Sequence, residues 1–233
     1  MPYFYYDWTM ILVIPGLLLG LYAQFKVKST FDRYSRVRTK SGLTAEAAAR
    51  MLLSRGGSTN VTISRVNGSL TDHYDPSSKT LRLSDSVYGS DSVAAVGVAA
   101  AAVAAHECGH ALQEHDGYGL LKLRSALVPV VNIGSSLYLP IFMAGLLFSW
   151  EPLQMVGILC FGLTLLFSLV TLPVEINASK RALGMLEGVL DAEELQGAKA
   201  VLSAAALTYL ASVISSALQL LRLILISRSR SRD

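Results

Sequence analysis

The chain has 233 residues, of which 52% are hydrophobic, and a formal net charge of +3. Ordinary soluble domains are about 45 to 50% apolar. Here the excess is concentrated in long blocks, which argues against a purely soluble protein. Cys160 lies in one of these blocks and Cys108 in a motif described below. A disulfide is therefore not expected, and a reducing compartment is compatible with the chain.

The first apolar block covers residues 11–22, with Trp8 and Phe25 at its edges. It could be mistaken for a signal peptide, but residues 1–7 contain no lysine or arginine, and no small-residue cleavage site follows the block. We therefore expect residues 1–25 to form a retained transmembrane anchor.

The polar part of the chain follows, and it is predicted to contain one helix and three short strands. Residues 44–54 carry apolar side chains at helical spacing after a threonine that can cap the helix. Residues 61–66, 70–74 and 80–84 have the composition of strands, and the Asn67-Gly68 pair between the first two is typical of a hairpin turn. The pattern predicts a small antiparallel sheet just before the next helix.

That next helix is predicted over residues 92–114 and carries the sequence His-Glu-Cys-Gly-His. His106 and His110 lie four residues apart, so both imidazoles are on one side of the helix and can reach one ion. Glu107 lies between them in angle and can approach a water on that ion as a general base, as in H-E-x-x-H zinc peptidases. We expect one Zn²⁺ per chain. Cys108 points away from both histidines and is interpreted as a packing residue.

Three further apolar blocks are predicted to enter the membrane. Residues 126–150 and 153–174 each run to about 20 residues or more with almost no charge, which is enough to cross a hydrocarbon layer about 30 Å thick. The fourth block, 201–226, is interrupted by Arg222, whose long side chain can reach the interface. The basic tail, 228–233, is interpreted as a contact with lipid head groups and not with nucleic acid.

A catalytic zinc site takes three protein ligands and keeps one position for water. Glu175 is the preferred third ligand, because a carboxylate at the boundary of an apolar span needs a partner and a cation provides one. Ser179 lies one turn later and can hydrogen-bond a ligand histidine. Asp116 and His115 remain alternatives, although a continuing helix carries Asp116 about 15 Å along the axis from His106. The other interpretation of Glu175 is a helix-start carboxylate beside basic residues.

The distribution of lysine and arginine predicts the orientation. Thirteen lie between Lys26 and Arg124 and three between Lys180 and Lys199. Two crossings separate these segments, so one side holds sixteen of the twenty and is assigned to the cytoplasm. A fourth crossing places the basic tail outside, against the rule. The sequence leaves open whether the last helix spans, returns or lies along the surface.

Four segments together resemble the YugP-like family of bacterial membrane zinc metallopeptidases, and the resemblance covers nearly the whole chain. They are residues 70–76 (LTDHYDP), 106–110 (HECGH), 123–129 (LRSALVP) and 172–179 (LPVEINAS). The last segment is also distantly similar to the E-x-x-A-D segment of HtpX-like and CAAX prenyl proteases. The resemblance implies Glu175 as third zinc ligand and a site facing the cytosol in the bacterial inner membrane. Ser179 stands where those relatives carry aspartate, which implies a weaker contact.

The predicted chemistry is hydrolysis of a peptide bond, with Glu107 moving the proton from water to the leaving amine. His73, Tyr74 and Arg181 are candidates for stabilising the developing oxyanion. One short strand is predicted to offer its edge to an extended substrate, with a plain sheet strand as the alternative. Its residues are Leu81, Arg82, Leu83 and Ser84.

The sequence as a whole predicts a mainly α integral membrane protein with about four transmembrane helices and a small zincin-like α+β peptidase domain. The expected partners are a protein or peptide substrate and the lipid bilayer, while the oligomeric state stays open. Two other functions are considered: a zinc hydrolase of a lipid-linked amide, and a silent scaffold with a structural metal, against which the intact Glu107 argues. The predicted segments are 1–25 (anchor), 26–125 (zincin-like domain), 126–174 (transmembrane hairpin), 175–200 (helix with the third ligand), 201–227 (last membrane helix) and 228–233 (tail).

Overall fold

The computed structural model describes residues 8–88 and 96–230. A short 3-10 helix, Trp8–Leu12, leads into the first α-helix. The remaining elements, in chain order, are α1 (Val13–Ser35), α2 (Ala45–Arg55), β1 (Thr62–Val66), β2 (His73–Asp75), β3 (Thr80–Ser84), α3 (Asp85–Tyr88), α4 (Val98–His115), α5 (Gly119–Leu147), α6 (Glu151–Leu186) and α7 (Ala192–Arg230).

Four of the described helical segments are long and apolar enough to cross a membrane. They are Trp8–Ser35, Gly119–Leu147, Glu151–Leu186 and Ala192–Ser229. Many of their large apolar side chains are exposed, as expected for surfaces that face lipid. The predicted fold class is therefore confirmed: a mainly α membrane protein with about four membrane helices and a small α+β domain.

Contacts between residues divide the chain into two compact units. Of the described residues, the first contains 8–23, Leu123–Leu172 and 208–230. Its core contains Phe142, Ile158, Phe161 and Leu223. The second unit contains Gln24–Lys122 and Pro173–Leu207, and it holds all the residues of the site described below.

Helix α2 forms as its sequence predicts. The side chain of Thr44 accepts a hydrogen bond from the backbone N–H of Ala47 at 3.2 Å and so caps the helix. The helix ends at Gly56, and Gly57 follows with a φ of +77°, a conformation that glycine adopts without strain. The apolar face of α2, with Leu52 and Leu53, packs on α4 in the core of the second unit.

The sheet is mixed, so the predicted antiparallel sheet is wrong. Strand β3 lies in the centre, parallel to β1 and antiparallel to β2. The Asn67-Gly68 pair does not close a hairpin, because the carboxylate of Asp85 accepts from Gly68 N at 3.2 Å and from Arg65 Nε at 2.5 Å. Strands β1 and β2 are therefore not neighbours, and β3 lies between them in the sheet. The central position suits β3, because its Leu81 and Leu83 side chains are fully buried.

Two helix boundaries differ from the predictions. Helix α4 begins at Val98 and not at residue 92, because Gly97 pairs with Arg38 in an isolated β-bridge. Residues 92–95 lie outside the described part of the chain. Helix α6 continues through Pro173 to Leu186, so no separate helix covers residues 175–200, and that prediction is wrong.

Candidate metal centre

Helix α4 supplies two imidazoles to the site. The ring centroids of His106 and His110 are 4.8 Å apart, and the rings meet edge to face, one helical turn apart. Both side chains are largely buried, with 13% and 10% of their surface exposed. A helix positions them this way because residues four apart lie above one another on the same face.

Helix α6 supplies a carboxylate to the same point. Oε2 of Glu175 lies 3.0 Å from Nε2 of His106 and 3.4 Å from Nε2 of His110. The side chain of Glu175 is only 2% exposed. The three ligand atoms all lie within 4.8 Å of one another, and no other group of three such side chains converges among the residues that the structure describes.

A glycine allows the two helices to come this close. A Cβ atom at Gly109 would lie 2.5 Å from the carbonyl oxygen of Ala178, which is closer than real Cβ contacts. Because Ala178 is one turn after Glu175, this crossing sets the height at which the carboxylate meets the histidines. Gly109, inside the His-Glu-Cys-Gly-His motif, is therefore needed for the close packing of α4 on α6.

The three side chains fit a zinc ion. Tetrahedral zinc with bonds of about 2.0 to 2.1 Å places neighbouring ligand atoms about 3.3 Å apart. The two distances to Oε2 of Glu175, 3.0 and 3.4 Å, bracket that value. A nearly buried carboxylate also needs a cationic partner. Two imidazole nitrogens and one carboxylate oxygen are a donor set of catalytic zinc sites.

The charge around the histidines favours a cation. Burial acts to lower the pKa of His110, but the hydrogen bond to Glu175 and the negative charge of Glu107 outweigh it, and the pKa lies above its ordinary value. The same negative field that stabilises a proton on His110 attracts a metal ion in its place.

Each histidine has a hydrogen-bond partner on its other nitrogen. Oγ of Ser179 lies 3.1 Å from Nδ1 of His106, the contact expected from its position one turn after Glu175. Oε1 of Gln113 lies 3.0 Å from Nδ1 of His110. Gln113 is not among the residues predicted from the sequence, where its only signal is its position three residues after His110, on the same face of the helix.

Glu107 lies beside the two histidines and faces the sheet. Its side chain is largely buried, and Oε2 accepts a hydrogen bond from the backbone N–H of Tyr74 at 2.9 Å. This hydrogen bond connects the His106–His110 motif on α4 to strand β2. Glu107 is thus held near the cluster without being part of it.

The alternative ligands lie elsewhere. Asp116 forms an ion pair with Arg181, whose hydrogen bond lowers the pKa of the Asp116 carboxyl. His115 is exposed and lies beside the backbone of Gly57. Cys108 is fully buried, its Sγ lies 3.7 Å from the carbonyl oxygen of Ala49, and burial raises its pKa. None of the three belongs to the cluster of His106, His110 and Glu175.

The three candidates for oxyanion stabilisation all have other partners. Nδ1 of His73 donates to the carbonyl of Thr71 at 2.8 Å. The hydroxyl of Tyr74 donates to Glu114, and burial together with that carboxylate raises its pKa, so the hydroxyl keeps its proton. Arg181 donates from Nε to Asn177 at 2.9 Å.

The prediction that residues 81–84 form an edge strand is wrong. Leu81, Arg82, Leu83 and Ser84 belong to β3, which is the central strand and pairs with β1 and β2 on its two sides. On the β2 side the pairing covers Thr80, Leu81 and Arg82, and the backbone N–H of Ser84 donates to Oδ1 of Asp72 at 2.7 Å. The edge strand next to the site is β2, which contacts α4 through Tyr74.

Comparison with known proteins identifies the family. The family described as "Putative neutral zinc metallopeptidase" matches residues 9–228. The chain is also 44% identical over 219 residues to "Putative membrane protease YugP" of Bacillus subtilis (strain 168), which covers 93% of this chain and 95% of that protein. The chain belongs to the neutral zinc metallopeptidase family. No solved structure matches it.

Membership of this zinc metallopeptidase family agrees with the resemblance found in the sequence. It also agrees with the donor set of the site, since the cluster of His106, His110 and Glu175 suits the metal named in the family description. The four apolar helices and the membrane protease relative together indicate a membrane protein.

Proposed function

We propose that this protein is a zinc-dependent membrane metalloendopeptidase in which His106, His110 and Glu175 hold one zinc ion per chain and Glu107 is the general base. The observation that carries the proposal is the position of Glu107. It adjoins a three-ligand cluster but is not needed to complete it. A structural zinc site uses four protein ligands and has no use for a base.

Bound zinc supplies Lewis-acid chemistry, because it lowers the pKa of a coordinated water and polarises a carbonyl. Glu107 takes the proton of the attacking water and passes it to the amine that leaves as the C–N bond breaks. The backbone N–H of Tyr74 orients the Glu107 carboxylate for this transfer. Ser179 and Gln113 hold the two imidazoles by their Nδ1 atoms, which leaves the Nε2 atoms directed to the metal.

We propose that an extended substrate binds beside β2, next to Glu107. Strand β2 has β3 on one side only, and on its other side the backbone N–H of Tyr74 is held by Glu107. The substrate is therefore placed next to the general base. A cavity of about 210 Å³ opens beside the strand, and Tyr74, Lys79, Ala111 and Glu114 are among its lining residues. It has room for one substrate side chain.

We propose that the protein lies in the bacterial inner membrane with its site on the cytoplasmic side and cleaves membrane or juxtamembrane proteins. The support is the distribution of charge, because the segments on either side of the central hairpin carry sixteen of the twenty lysine and arginine residues. Cysteine accessibility mapping in cells tests this orientation. Labelling of Ser29→Cys by an impermeant reagent from outside contradicts it.

The test of the enzymatic proposal is a proteolysis assay in detergent with unfolded casein and a membrane-anchored peptide. Glu107→Gln is the matched variant, because it keeps the shape and the acceptor for Tyr74 N–H but cannot take a proton. We expect turnover to fall by about 10² to 10⁴ with the zinc content unchanged. Turnover that persists in Glu107→Gln refutes the general-base role. A panel of lipid-linked amides in the same assay separates a peptidase from a hydrolase of lipids.

A further inference from the structure

The cavity of about 210 Å³ beside β2 lies one to two helical turns along α4 from Glu107. Its wall contains Ala111 and Glu114 of α4 and Tyr74 of β2. We propose that this cavity is a subsite for a lysine or arginine side chain of the substrate, bound through the carboxylate of Glu114. The inference rests on the proposed peptidase function and names the class of sequence that it selects.

The cavity lies within reach of a peptide held at Glu107. Glu107, Ala111 and Glu114 are spaced by four and three residues, so they share one side of α4. The helical rise puts Glu114 about 10 Å along the axis from Glu107, and an extended peptide covers that distance in about three residues. Tyr74 links the two places, because its backbone N–H donates to Glu107 and its hydroxyl donates to Glu114. We therefore expect the basic side chain about three residues from the cleaved bond.

The carboxylate of Glu114 is held in place and still has an oxygen to offer. Tyr74 donates to Oε2, whereas Oε1 has no hydrogen bond or ion pair within the described ranges 8–88 and 96–230. Burial raises the pKa of the Tyr74 hydroxyl, and the negative charges of Glu114 and Asp75 raise it further. The field at this end of the cavity is therefore negative. A cationic head group makes charge-assisted hydrogen bonds there, which are stronger than bonds between neutral groups.

The rest of the lining suits a long side chain with an apolar stem. Ala111 is buried and Val61 is half-buried, so methylene groups can lie against both. Ser58 also lines the cavity, is only 2% exposed, and has a hydroxyl without a hydrogen-bond partner among the residues that the structure describes. A water or a bound ligand is the usual partner of such a buried group. Lysine and arginine supply both a flexible stem and several donors.

Two cationic or potentially cationic groups lie in the same lining. Lys79 and His115 are both exposed. Nδ1 of His115 lies 3.2 Å from Oδ1 of Asp116, whose negative charge offsets that of a protonated ring. Water screens the ammonium group of Lys79 more than it screens the half-buried carboxylate of Glu114. Glu114 therefore sets the preference of the cavity.

Basic segments are common where the protein is proposed to act. Cytoplasmic loops close to membrane spans carry an excess of lysine and arginine. A subsite for these side chains therefore matches the juxtamembrane substrates proposed above.

The test uses zinc-loaded, detergent-purified protein and a membrane-anchored peptide whose juxtamembrane segment is otherwise neutral. A single lysine is moved through the second, third and fourth positions on either side of the cleaved bond, with glutamine at the same position as the reference. We expect kcat/KM to be about 10- to 100-fold higher with lysine at one of these positions. Glutamate at that position should lower kcat/KM below the reference.

Two variants assign the preference to one charge. Glu114→Gln keeps the shape and an acceptor for the Tyr74 hydroxyl but removes the negative charge. The ratio of kcat/KM for lysine over glutamine should then fall to within about threefold of unity. Lys79→Gln should keep or raise that ratio. Glu193→Gln, at an exposed position on α7, is the control and should keep it.

Binding of the same peptides to the Glu107→Gln variant, measured by fluorescence anisotropy, gives a readout without turnover. Three results overturn the inference. One is the absence of a lysine preference in both assays, which is decisive even if Glu114→Gln does not fold. The second is a full lysine preference in folded Glu114→Gln. The third is a preference for glutamate that Lys79→Gln abolishes. Lysine-selective binding without cleavage by the unmodified protein contradicts the proposed peptidase and leaves the subsite standing.

Discussion

A single methyl group at Gly109 is predicted to weaken zinc binding without touching a ligand. In Gly109→Ala the new Cβ lies 2.5 Å from the carbonyl oxygen of Ala178, whereas ordinary contacts begin at 3.4 Å. Helix α6 must therefore withdraw by about 0.9 Å at this point. Glu175 moves with it, and zinc–ligand distances tolerate changes of only about 0.2 Å.

The size of the effect follows from the cost of overpacking. Forcing an extra methyl group into a packed contact costs about 1 to 3 kcal/mol. The metal-free protein relieves this strain when α6 withdraws, but zinc binding through Glu175 imposes it again. The same 1 to 3 kcal/mol then appears as a loss of zinc affinity of about 5- to 150-fold.

The assay is competition for zinc with a chromophoric chelator on detergent-purified protein, with thermal unfolding measured in parallel. The matched control is Gly184→Ala, on the same helix α6, where no atom lies within 4 Å of the new Cβ. Alanine there favours the helix by about 0.5 to 1 kcal/mol and should not change zinc binding. Zinc affinity within twofold of the unmodified protein in a folded Gly109→Ala variant contradicts the role of this helix crossing in placing Glu175.

Three further changes probe the sheet beside the site. Tyr74→Phe removes the hydroxyl bound to Glu114 and should change turnover by less than about threefold, whereas loss of an oxyanion donor costs about 10² to 10³. Burial raises the pKa of Asp72 and the charge of Glu107 adds to this, so the folded protein holds that proton more tightly than the unfolded chain. Ionising Asp72 therefore costs stability as the pH rises. Asp72→Asn should unfold at a higher temperature than the unmodified protein at pH 8, and this gain in unfolding temperature should shrink toward acid pH. A lower unfolding temperature of Asp72→Asn at pH 8 contradicts this. Leu83→Ala leaves a cavity in the central strand and should cost about 2 to 5 kcal/mol in thermal unfolding; a cost below about 1 kcal/mol argues against its full burial.

Local patterns predicted those parts of the molecule that local physics determines. The spacing of His106 and His110 needs only the helical period to bring two imidazoles together, and the structure has them so. Thr44 and Gly56 bound a helix through contacts within a few residues. The membrane helices follow from length and apolar composition alone.

The parts that failed depend on contacts between distant residues. The Asn67-Gly68 pair has a strong hairpin preference, but Asp85 binds Gly68 from beyond the next two strands and β3 enters between β1 and β2. Gln113 is not among the residues predicted for the site. Its role depends on Val174, sixty-one positions away in the chain, and no local pattern contains that contact. Pro173 does not end its helix, because packing outweighs the local preference.

The most direct test of the account is zinc K-edge X-ray absorption on the purified protein, with Glu107→Gln and Glu175→Ala measured beside it. The account predicts one zinc per chain with two imidazole nitrogens and the Glu175 carboxylate among its ligands. Glu107→Gln should keep this spectrum, and Glu175→Ala should lose the carboxylate and bind zinc more weakly. An unchanged ligand set and affinity in Glu175→Ala contradicts the site proposed for this protein.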